Sequence, residues 1–162
     1  EVLMDGSHDI AACEAATAAT LASVFAVLRA QRIVLEGIVL KPNMIVSGKD
    51  CPEQSEVDEV AQATIRVFRR LVPAAVPGIA FLSGGQSPQI ATAHLNAMNG
   101  LGPLPWELTF SYGRALQETT LQTWCGEETR VGAAQLEFLL RARLNSAARS
   151  GSYTEEMERT AA

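Results

Sequence analysis

Apolar positions recur along this chain with two different periods, and their alternation predicts the fold. Over residues 8–31, Leu21, Val24, Phe25 and Leu28 fall at i, i+3, i+4 and i+7, one face of a helix. The run Ile33-Val34-Leu35-Glu36-Gly37-Ile38-Val39-Leu40 is too short for a typical helix and too continuously apolar for a half-exposed strand. It predicts a strand buried on both faces, as in a parallel sheet. Pro42, Asn43, Gly48, Asp50 and Pro52 then mark a loop over 42–54. Ser55, three residues before Asp58, predicts a capped helix start. The following helix presents Val57, Val60, Ala61, Thr64, Val67, Phe68 and Leu71 on one face and is stopped by Pro73 and Pro77.

A second strand is predicted at Ile79-Ala80-Phe81-Leu82. After the turn Ser83-Gly84-Gly85-Gln86, Ser87-Pro88 supplies an N-cap and a first-turn proline for a helix to about Asn99. Gly100, Gly102, Pro103 and Pro105 form a loop before a third strand, Leu108-Thr109-Phe110-Ser111-Tyr112. Two more helices cover roughly 115–124 and 130–149. Strands alternating with helices imply βαβ units and a parallel sheet, an α/β fold. Three strands leave both sheet edges open and apolar, so the segment calls for further strands, from a part of its own polypeptide or from another chain.

Composition narrows the classes. The chain has 162 residues, 48% hydrophobic and 19% charged, enough for one sizeable core. The net charge is −5 and Lys/Arg are not clustered, which argues against a nucleic-acid partner. No uninterrupted apolar run approaches the roughly 20 residues of a membrane span, and no secretory leader is evident, so a cytoplasmic protein is expected. Cys13, Cys51 and Cys125 are far apart and odd in number, which predicts reduced thiols rather than a disulfide framework or a zinc site. His8 reads as capping or surface, and His94 as structural.

Three features carry candidate chemistry. Lys41 stands at the C-terminal end of a predicted buried strand, the end where parallel α/β folds bind ligands. An amine in an apolar surround is easier to deprotonate, and the neutral form attacks a ketone to give a Schiff base. The same local pattern also fits a lysine that snorkels into water. Ser83-Gly84-Gly85 lies between a strand and a helix, where glycines and a helix N-terminus admit an anion. Ser111-Tyr112-Gly113-Arg114 repeats that arrangement and adds a guanidinium able to grip phosphate through two hydrogen bonds. Each turn alone also fits plain turn geometry. Together, after the last two strands, they match the usual phosphate position of a TIM barrel.

These residues carry a resemblance. Leu35-Glu36-Gly37-Ile38-Val39-Leu40-Lys41-Pro42-Asn43-Met44 resembles the Schiff-base signature of class I fructose-bisphosphate aldolases. Phe81 to Ser87 and Leu108 to Leu116 are similar to two further blocks of that family, as is Asp5-Gly6-Ser7-His8-Asp9. The blocks keep the family's order over almost the whole chain. The resemblance implies a (β/α)₈ barrel, of which residues 1–162 form one partial domain: the last three parallel strands, their helices and a short tail from about 150. It implies reversible cleavage of fructose 1,6-bisphosphate to dihydroxyacetone phosphate and glyceraldehyde 3-phosphate, without metal or other cofactor. It assigns the iminium to Lys41, one wall of a phosphate site to Ser83, Gly84 and Gly85, and the other wall to Ser111, Gly113 and Arg114. It further implies a homotetramer, or pairing with the rest of the barrel.

Departures temper the expected activity. Val39 stands where leucine is usual, and the tail lacks the family's terminal tyrosine. The resemblance places an essential acidic residue just before Glu1, and two further active-site lysines and the second phosphate site on earlier strands. Little or no cleavage is therefore expected of the 162 residues alone. The alternative is a non-catalytic assembly or interaction partner.

Overall fold

The computed structural model describes residues 1–159; the last three residues of the tail lie outside the described residues. Three parallel strands lie in the order β1 (Val39–Leu40), β2 (Gly78–Phe81), β3 (Glu107–Phe110). Among the described residues, six α-helices accompany them: α1 (Ile10–Ala30), α2 (Val57–Leu71), α3 (Pro88–Gly100), α4 (Arg114–Trp124), α5 (Val131–Arg149) and α6 (Glu156–Arg159). The helices pack in chain order, α1 on α2, α2 on α3, and α3 and α4 on α5. The architecture is the partial α/β barrel that the sequence predicts.

Pleating explains which strand residues are covered. Ile79, Phe81 and Leu108 are buried beneath the helices, and the Phe68 ring of α2 stacks on Phe81 at 5.7 Å between centroids. α2 buries Val60, Ala61, Thr64, Val67 and Phe68, the face read from its period. Asp58 and Glu59 in its first turn, and Arg69 and Arg70 in its last, complement the helix dipole. α3 begins as expected, with the Ser87 hydroxyl accepting from Ile90 N and Pro88 in the first turn.

Three expectations are corrected. The run from Ile33 to Leu40 is not a strand buried on both faces. A 3₁₀ turn occupies Leu35–Gly37 and only Val39 and Leu40 pair. Val34 is 69% and Val39 65% exposed. Only β2 flanks this strand among the described residues, so its other edge is unpaired. Ser55 does not cap α2: Glu56 holds the cap position without a side-chain bond, and the Ser55 hydroxyl shares a hydrogen bond with Ser47 at 3.0 Å. Finally, α1 is long and apolar enough, by length and composition only, to cross a bilayer. Its apolarity comes from interspersed alanines rather than an unbroken aliphatic run. It packs here as an outer helix, with Cys13, Thr17, Leu21 and Phe25 turned inward and Glu14 paired to Arg66 of α2.

The C-terminal tail is fastened by charge. Arg141 on α5, itself buried, grips Glu158 through both nitrogens at 2.8 and 2.7 Å. Tyr153 donates its hydroxyl to the same carboxylate at 2.9 Å, and Tyr153 N donates to Asn96 on α3. Burial, helped by the Glu158 contact, pushes the Tyr153 phenol up to about 12, so it stays a donor at neutral pH.

Candidate active site

The site grows from the C-terminal ends of the three strands. Val39 pairs with Gly78 and Leu40 with Ile79, and Leu82 N donates to Pro42 O beyond them at 3.1 Å. Lys41 therefore falls opposite Ala80, which pairs with Thr109. Alternation puts Lys41, Ala80 and Thr109 in one row on the face that no helix covers. Lys41 is exposed there. The apolar surround inferred for it is not supplied by these residues, because the rest of a barrel wall is needed to enclose that face.

The two turns meet at the same end of the sheet. Gly84 and Gly85 both adopt left-handed backbone, with φ of +60° and +96°. Consecutive positive φ values favour glycine, which lacks the Cβ that would be strained there. Arg114 opens α4, and a Cβ on Gly85 would sit 3.6 Å from its Nη2. Gly84, Gly85 and Arg114 line a cavity of about 170 Å³ together with Glu1, Leu3, Met4, Asp5 and Lys49, so two carboxylates stand beside its two cations. Ser83 is buried behind it, its carbonyl accepting from Gln86 N and Gln86 Nε2, both at 3.0 Å. Ser111 and Gly113 are exposed nearby and do not line the cavity, nor does Lys41. Tyr112, between them, is an anchor: its buried hydroxyl donates to Ala91 O at 2.9 Å, and burial pushes it far above the ordinary phenol range.

Residues missed in the sequence complete this cavity. Lys49 and Asp5 form an exposed ion pair at 2.5 Å. That hydrogen bond raises the Lys49 ammonium above its ordinary value and lowers the Asp5 carboxyl, with Arg114 adding a smaller pull on Asp5. The pair is held by three backbone bonds, Lys49 N to Met4 O at 2.7 Å, Gly48 N to His8 O at 2.8 Å and Asp50 N to Gly6 O at 3.0 Å. His8 thus acts through its carbonyl, while Asp9 caps α1. Gly48 makes the crossing possible, since a Cβ there would lie 2.2 Å from Gly6 O. Gly48→Ala is expected to force the two segments apart at a cost of about 1–3 kcal/mol, measured by urea unfolding.

His94 is structural, as expected, but its task is specific. Gln86 Nε2 donates to Ser83 O, so Gln86 Oε1 accepts from His94 Nδ1 at 2.5 Å. Burial lowers the His94 pKa to about 4. The unfolded chain takes up this proton near pH 6.5, the folded chain only near 4. Stability is therefore full above about pH 6.5 and falls toward pH 4, by about 3 kcal/mol at most from this group. Urea titrations at pH 7 and 4.5 should show the loss, and His94→Gln should remove most of this pH dependence.

A family model for class-I fructose-bisphosphate aldolase, described as glycolytic, matches residues 1–162. The chain belongs to the class I fructose-bisphosphate aldolases. It is 50% identical over 153 residues to fructose-bisphosphate aldolase 2 of Plasmodium berghei, covering 94% of this chain and 42% of that protein. It is 52% identical over 154 residues to the cytoplasmic isozyme 1 of Pisum sativum, covering 94% and 43%. A solved structure of Plasmodium falciparum fructose-bisphosphate aldolase, in complex with TRAP and a small-molecule inhibitor, superposes with a TM-score of 0.91 at 47% identity. That match covers 94% of this chain and 44% of the other. The chain spans less than half the length of these aldolases. This chain carries the lysine and both glycine turns at one sheet end, and Lys49 was missed because its pairing with the Asp5–Asp9 block is visible only in the structure.

Proposed function

We propose that these residues form the Schiff-base and phosphate-binding portion of a fructose-bisphosphate aldolase, with Lys41 as nucleophile. The observation behind the reading is that Lys41 follows β1 at the sheet end where Gly84, Gly85 and Arg114 line a small cavity. In the reaction, Lys41 Nζ adds to the ketone carbon of the phosphorylated sugar, and loss of water leaves an iminium. The iminium accepts the electron pair of the breaking carbon–carbon bond, and the departing half leaves as an aldehyde once its hydroxyl proton is taken up. Arg114 and the left-handed glycines hold the phosphate on the ketone side, with Ser83, Ser111 and Gly113 shaping the turns.

The proton acceptor, the groups for the second phosphate and the enclosing wall belong to the rest of the barrel. Loss of positioned acid–base groups alone typically costs about 10²–10⁴-fold. The isolated 162 residues are therefore expected to cleave little or no bisphosphate, and iminium formation at the exposed Lys41, without an apolar surround, is expected to be slow and to be read by trapping. Assembly favours the same reading: Leu121, Trp124, Leu136 and Leu139 of α4 and α5 are exposed, as are Val34 and Val39 at the sheet edge. Such surface suits a protein that works within a closed barrel or an oligomer, in the cytosol, where several relatives are placed by name.

Borohydride trapping with dihydroxyacetone phosphate, followed by peptide mass mapping, tests the assignment. The sequence has two lysines, Lys41 and Lys49. The reduced adduct is expected on the peptide containing Lys41. An adduct confined to Lys49, or to the N-terminal amine, would contradict the proposal.

A further inference from the structure

Behind the Ser83–Gln86 turn lies a second cavity, of about 390 Å³, that the aldolase reading does not use. It sits between the loop before α2 and the start of α3 and shares only Met4 and Gly85 with the cavity beside Arg114. Its size and mostly apolar wall are those of a small-molecule site. Three polar residues on its wall are buried: Ser47, Gln86 and His94, the last only 4% exposed.

The hydrogen-bond roles around His94 are determined step by step. Gln86 spends its amide N–H on Ser83 O, so its carbonyl faces His94 Nδ1 and accepts from it. His94 is neutral at pH 7, its pKa pushed down to about 4 by burial. A neutral imidazole that donates through Nδ1 carries a lone pair on Nε2. Among the described residues, no donor meets that lone pair. The wall also holds no lysine or arginine, and its single carboxylate is Glu56. A phosphate or carboxylate ligand would find no counter-charge here, unlike in the cavity beside Arg114.

We propose that this cavity binds a small neutral ring compound carrying an O–H or N–H donor, which donates to His94 Nε2. The ring packs against Met4, Val46, Val60 and Ile90. Because the Gln86 amide bridges His94 and Ser83 O, an occupant that reorients His94 also shifts the glycine turn. The site is thus a place from which the anion-binding turn can be regulated.

Phenol and benzene are the probes, titrated into the unmodified 162-residue chain with the histidine ring and backbone amide resonances followed by NMR. Phenol is expected to shift the His94 ring nitrogens and the amides of Gly84, Gly85 and Gln86 saturably. It should bind about 2–10-fold more tightly than benzene, the contribution of one hydrogen bond. His94→Phe should erase the preference for phenol, with the amide spectrum reporting that the variant remains folded. No saturable His94 shift with phenol up to about 10 mM, the limit of weak specific binding, would overturn the proposal. So would equal affinity for the two probes, or shifts confined to Trp124 and Leu139 on α4 and α5. None of these readouts requires Lys41 chemistry, so the proposal and the aldolase assignment fail separately.

Discussion

Lys41→Met abolishes the borohydride-trapped adduct with dihydroxyacetone phosphate, whereas Lys49→Met retains it. The contrast follows from where the two amines sit. Lys49 donates to Asp5 at 2.5 Å, and that carboxylate stabilises its charged form. That bond holds the Lys49 Nζ against Asp5, so attack on a ketone there must first break the ion pair. Lys41 stands exposed on the uncovered face of the sheet, in the row with Ala80 and Thr109, and has no carboxylate among its described ion-pair or hydrogen-bond partners. Methionine keeps an unbranched side chain of similar reach, so the fold around position 41 is conserved while the nucleophile is lost. The expected reduction is complete within detection, read as the intact-mass increment after reduction. Persistence of the adduct in Lys41→Met would remove the nucleophile from the account.

The second large effect concerns the tail. Arg141→Met is expected to destabilise the chain by about 3 kcal/mol, because it leaves the Glu158 carboxylate partly buried without its cation. The same change deprives Thr92 of a donor at 3.3 Å within the contact between α3 and α5. The double variant Arg141→Met, Glu158→Leu should recover much of the loss, since an apolar pair of similar volume replaces the buried ions without desolvating charge. Urea midpoints for the two single variants and the double one give the coupling. Additive losses would mean that the pair contributes little and that the tail is held by Tyr153 and Asn96 instead.

How much of this was legible in the sequence depended on whether a residue's partner lay within the chain and close by. The α2 face and the Ser87–Pro88 start could be read because period and capping are local. The order of elements and the two glycine turns followed from the same local signals. The stretch from Ile33 to Leu40 misled because its unbroken apolar composition reads as burial on both faces, whereas among the described residues only β2 flanks it. For the same reason the apolar surround of Lys41 could be inferred but is not supplied by these residues. The Lys49–Asp5 pair joins positions 44 residues apart through a backbone crossing that only Gly48 permits, and no periodicity announces that. Gln86 and His94 looked like ordinary helix and turn residues. Their bond became visible only once α3 was placed behind the glycine turn.

The central claim is that the amine of Lys41 and the turns around Arg114 serve one ligand. The most direct measurement compares the rate of Lys41 trapping by dihydroxyacetone phosphate with that by unphosphorylated dihydroxyacetone, in the unmodified chain and in Arg114→Ala. A charge-assisted grip on the phosphate contributes roughly 1.5–3 kcal/mol, so the phosphorylated ketone should react about 10–150-fold faster, and the advantage should largely vanish in Arg114→Ala. Equal rates for the two ketones, or a preference that survives the loss of Arg114, would show that the amine and the cavity beside Arg114 are separate features.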